Sequence, residues 1–113
     1  MYENREENIV CFLPEEFTNN IEKDLNKITG GIPDILESNY EFIKENWNYS
    51  NAFEFLVGMI LGNCQFSYIQ AFDQIYEKMP SREQIKDIHT VISRRKTQFE
   101  QGVSAFLEEN NIK

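Results

Sequence analysis

Residues 51–72 read NAFEFLVGMILGNCQFSYIQAF, a stretch with a single charge, Glu54, and two glycines four apart, Gly58 and Gly62. Its reading decides the fold, because such a segment can cross a membrane, fill a core or meet a second copy of itself. A membrane span requires about 20 predominantly apolar residues. Here the apolar run covers only 52–62, and Asn63, Gln65, Ser67 and Gln70 follow it. No basic cluster marks one side. We therefore expect no membrane span.

Helical periodicity separates the two halves of the stretch. In the second half Asn63, Ser67, Gln70, Gln74 and Glu77 share one side, a solvent stripe, while Phe66, Ile69, Phe72, Ile75 and Tyr76 take the rest. In the first half Phe53, Phe55, Leu56, Val57, Met59, Ile60 and Leu61 point all round. A helix apolar on all sides is expected to be buried on all sides. Each glycine costs about 1 kcal/mol of helix propensity relative to alanine, so both are read as sites of close helix packing. Packing within the chain is the first expectation for them and a contact with a second copy the other.

Working outward, Asn51 and Glu54 form an Asn-type capping pair. The residue before Pro80 is pushed out of the helical region, so the third helix is expected over 51–79, about 40 Å at 1.5 Å per residue. Upstream, Pro14 with Glu15 and Glu16 opens a helix whose apolar residues are Phe17, Ile21, Leu25 and Ile28; Gly30 and Gly31 end it. That gives a helix over 14–29. Pro33 opens a second over 33–47, with Ile35, Leu36, Phe42, Ile43 and Trp47 on a broad apolar face. Downstream, Ser81 and Gln84 make a capping box, and Ile85, Ile88, Ile92, Phe99, Val103 and Phe106 fall on one narrow stripe. This predicts one helix over 82–109. IVCFL at 9–13 reads as a strand, an extended arm or a prefix to the first helix.

The expected fold is thus all-α: a single helical domain over 1–113 with an N-terminal arm, an antiparallel four-helix bundle whose third and fourth helices form a long hairpin. The chain has 113 residues, 41% of them hydrophobic, with nine Phe, five Tyr and one Trp. That suffices for a core without disulfides or metals. The net charge of −8 repels phosphate backbones and favours solubility and basic partner surfaces. Cys11 and Cys64 lack close spacing, and MYENREEN at the start is no secretory signal, so a reducing, cytoplasmic setting is expected.

Chemistry is thin. Glu54 sits among apolar neighbours, where desolvation would suit a proton-transfer group, but its place in the first helical turn suits capping better. A zinc site from Cys11, Cys64 and His89 would need three distant segments to converge. The residue three before His89 is Lys86, not the Glu a di-iron bundle requires. SRRK at 93–96 is the only basic run, and on one helix Arg94, Arg95 and Lys96 point about 100° apart, which makes no patch. No phosphate loop or nucleophile–base pair appears.

What remains is a surface. Tyr40, Trp47 and Tyr49 gather at the junction of the second and third helices, and Tyr and Trp anchor interfaces as well as rim cores. With Phe55, Gly58, Met59, Gly62 and Phe66 they make up the candidate interface. The expected role is a non-catalytic module that binds a partner protein, as adaptors, inhibitors and immunity proteins do, without a cofactor and self-associating as a homodimer across the third helix. The alternatives are a ligand- or metal-binding bundle using Glu54, Cys64 and His89, and a nucleic-acid-linked regulator presenting Arg94, Arg95 and Lys96.

Overall fold

A computed structural model of the chain describes residues 12–112. They form five helices and, among the described residues, no strand: α1 (Glu15–Thr29), α2 (Ile32–Asn46), α3 (Ala52–Tyr76), α4 (Arg82–Ser93) and α5 (Lys96–Glu109). The fold is all-α, with five helices where four were expected. Cys11 and most of the 9–13 run lie outside the described residues. Phe12 and Leu13 form a bend ahead of Pro14. Their segment is tied to α4: the Phe12 N–H donates to the Asp87 carboxylate at 2.9 Å, and Gln84 donates to the Phe12 carbonyl at 3.1 Å.

The extra helix comes from a break at Arg94 and Arg95. The Arg95 N–H turns back to the Ile92 carbonyl, three residues away instead of four, and α5 starts at Lys96. No glycine or proline stands there, and both residues keep negative φ angles, so the apolar stripe runs on past the break. Ile88, Val91 and Ile92 are buried on one side of it, and Phe99, Val103, Phe106 and Leu107 on the other. Each half follows its own partners. α4 packs on α3 and α1, whereas α5 packs on α2 and α3.

Arg95 braces this corner. Its guanidinium donates to Glu22 and to Asn26 of α1, each at 2.7 Å. Arg94 lies 4.0 Å from the same Glu22, and Lys96 lies 3.9 Å from Glu100. All three charges of the basic run therefore face acidic partners on the protein itself.

The ends of α3 are set by local chemistry. Asn51 accepts the Glu54 N–H at 2.9 Å, which satisfies one of the free donors of the first turn. The helix stops at Tyr76, three residues short of expectation, because Glu77 adopts a left-handed conformation (φ 60°, ψ 33°) while its N–H closes on Asp73. Ser81 and Gln84 then start α4 with a complete capping box.

α3 has 25 residues and is long and apolar enough to cross a membrane by length and composition alone. In this fold Leu56, Val57, Ile60, Cys64, Tyr68 and Phe72 are buried against the other helices. The first half is not enclosed as expected. Phe55, Met59 and Leu61 are half-buried, and Gly58 and Gly62 are exposed. Among the described residues a Cβ at either glycine would meet nothing within 4 Å, so neither marks a crossing of the described helices. The glycine that does is Gly102 on α5. A Cβ there would come within 2.8 Å of Ile32, a fully buried residue at the start of α2.

α2 and α3 each pack closely against α5 and barely against each other. That leaves a gap between them on the side away from α5.

Candidate functional site: the groove between α2 and α3

The gap is a groove of roughly 520 Å³. Leu36, Ile43, Ile60 and Cys64, all buried, form its base. Ile35 and Phe42 of α2 line one wall, and Met59 and Asn63 of α3 the other. Ile28 joins from the end of α1 and Trp47 from just beyond α2. Trp47 and Met59 continue into a second hollow with Glu54, Phe55 and Gly58. The large side chains stand open to water: Phe42 is 65% exposed, Trp47 57% and Ile35 41%.

The periodicity of α2 explains why. Ile32, Leu36 and Ile43 make one stripe, and they are buried. Ile35, Asn39, Phe42 and Asn46 make a second stripe about 80° round the helix at 100° per residue. The two asparagines are exposed, and each turns one amide N–H back to the helix. Asn39 donates to the Ile35 carbonyl and Asn46 to the Phe42 carbonyl, each at 2.8 Å. The second stripe therefore alternates large apolar side chains with two asparagines, and among the described residues no helix covers it. Sequence periodicity merged the two stripes into one broad core face. Its one hint was the spacing of Ile35 and Phe42, two turns apart and out of step with Leu36 and Ile43.

The expected interface residues divide. Trp47, Met59 and Gly58 line the groove and the hollow beside it. Phe55 lies under Tyr49, with the rings stacked 4.9 Å apart. Tyr40 sits edge-on to Phe106 at 5.4 Å and shares a 2.8 Å hydroxyl–hydroxyl hydrogen bond with Tyr49. That bond, with burial behind it, pushes the Tyr40 hydroxyl up to about 12. Both tyrosines are half-buried supports of the α2–α3 junction. Gly62 and the 74% exposed Phe66 lie around the ridge of α3, over a smaller hollow towards α4 that also holds Gln65, His89 and Lys96. There His89 and Gln65 are hydrogen-bonded at 2.9 Å.

Glu54, Cys64 and His89 line three different hollows, so the fold does not bring these candidate ligands together. Among the described residues no three His, Cys, Asp or Glu side chains cluster as metal ligands would. Burial pushes the Cys64 thiol up to about 11; the nearby charge of Asp24 adds to this, and a hydrogen bond with Tyr68 opposes it. The thiol is thus held protonated, a small hydrophobe at the groove base. Tyr68 donates to Asp24 at 2.6 Å, and burial followed by this bond lifts its hydroxyl above the usual tyrosine range.

A surface of this composition can bind apolar side chains. Comparison with protein-family models, with curated proteins and with solved structures finds no match for the chain.

Proposed function

We propose that the protein is a non-enzymatic interaction module that binds a partner protein through the α2–α3 groove, in an adaptor, inhibitor or immunity-type role. The observation carrying this reading is the exposure of Ile35 and Phe42 on the second stripe of α2, beside Trp47 along one groove. Monomers seldom leave large contiguous apolar surface uncovered unless it binds something. Covering Phe42 and Trp47 alone would remove roughly 200–300 Å² from water. At about 25 cal/mol per Å² that is about 5–7 kcal/mol. Association costs about 4–15 kcal/mol in lost freedom. The two rings can anchor a complex, and contacts along the rest of the groove must complete it.

The test is a Phe42→Ser, Trp47→Ser variant expressed in the native cell and compared with the parent chain by affinity purification. It should keep its helical circular dichroism and lose the proteins that the parent recovers. Equal recovery by the folded variant would refute the groove as the binding surface.

A homodimer across α3 is the second reading, favoured by Gly58 and Gly62, which face nothing among the described residues. Light scattering behind a sizing column decides it: twice the 13.4 kDa chain mass supports a dimer, and a constant 13.4 kDa on dilution rejects it.

A further inference from the structure

Resting on the groove as a docking site, we infer that its occupant is an amphipathic helix of another protein, with apolar residues on one face and Lys or Arg along its flanks. The shape comes first. The groove lies between two helices that each pack on α5, and among the described residues nothing fills the position a further helix would take. Ile35 and Phe42 stand two turns apart, about 10 Å along α2. Anchors at i, i+3 or i+4, and i+7 of a guest helix span the same length.

Charge selects the chemistry of the guest. Residues 32–76, which include both walls, carry six acids and one base. Residues 82–109 carry five of each. The helices that form the groove are thus net acidic, and the last two helices are neutral in sum. On α2, Asp34, Glu41 and Glu45 are exposed and line one side of the Ile35–Phe42 stripe, and Glu54 borders the hollow beside Trp47. Lys44, the single base, lies about 170° round α2 from that stripe at 100° per residue. A second copy would set one acidic rim against another, and an anionic membrane surface would be repelled in the same way. A helix with basic flanks meets the rim with opposite charge and the groove with apolar anchors.

Trp47 is the only tryptophan and reports the outcome directly. The probes are two synthetic helical peptides of about five turns. Both carry Leu at three- and four-residue spacing; one has Lys on its flanks and its twin has Glu. Titrated into the full chain at low salt, the Lys peptide should shift Trp47 emission to the blue with saturation. It should bind on the order of ten-fold tighter than its twin, with the margin shrinking as salt is added. A Glu41→Lys, Glu45→Lys variant, checked for its fold by circular dichroism, should remove the margin between the two peptides. Equal binding of both peptides to the parent chain would overturn the basic guest while leaving the groove as a docking site. Failure of both, with Trp47 shielded and the mass doubled, would assign the groove to a second copy. Failure of both with Trp47 exposed would overturn the inference and also remove the helix-docking groove from the proposed function.

Discussion

α2 has two apolar faces, and they meet different fates. On one, Ile32, Leu36 and Ile43 are buried, and the crossing with α5 is so close that Gly102 has no room for a methyl group beside Ile32. On the other, Ile35 and Phe42 reach into a groove that no helix among the described residues fills. Apolar residues at helical spacing show that a face wants cover; they do not say whether the cover comes from the same chain. The first face maintains the fold, and the second is free to serve binding.

Cavity-forming substitutions should break that comparison most strongly if it is wrong. Phe99 is fully buried, so Phe99→Ala should cost about 3–5 kcal/mol in denaturant unfolding. Phe42→Ala should cost less than about 1 kcal/mol, since its ring already stands in water. Similar losses for the two would mean that the groove is closed in solution.

The glycines sharpen the same contrast. Gly102→Ala should destabilise by about 1–3 kcal/mol, because Ile32 must move to admit the new methyl group. Gly58→Ala and Gly62→Ala should each raise stability by about 0.5–1 kcal/mol, since alanine is the better helix former and nothing obstructs it. A stability loss at Gly58 or Gly62 that depends on protein concentration would reveal a second copy on the α3 ridge.

The groove base gives a pH test whose effect vanishes near neutrality. The folded-state pKa of Cys64 is raised to about 11 from an ordinary 9.0. Its contribution to stability is therefore complete below pH 9 and is lost as pH rises through 11. Replacing it by Ala should flatten the fall in stability over that interval, as read from unfolding midpoints. Tyr68 is shifted in the same direction and will retain part of the slope. An unchanged slope would mean that Cys64 is open to water.

Helix content was legible because the capping chemistry is local. Asn51 accepts from Glu54, and Ser81 and Gln84 form a full box, as their spacing implies. The break at Arg94 and Arg95 was not legible. It uses no glycine or proline, and the partners of Arg95 there are distant in sequence: Glu22 and Asn26 of α1. Gly58 and Gly62 drew attention by their spacing, whereas Gly102, the glycine at the closest crossing, has no spacing partner and matters only through Ile32. Trp47 and Met59 could be read as surface candidates from residue type and position. Ile35 and Phe42 could not, because only the placement of α5 decides which stripe of α2 stays uncovered.

The most direct measurement is the emission and acrylamide quenching of Trp47 in the purified chain across a wide dilution series. An open groove predicts a water-exposed indole, readily quenched and unchanged by dilution. A shielded Trp47, or one that becomes exposed only on dilution, would contradict the account by showing that the chain or its own copy already covers the site.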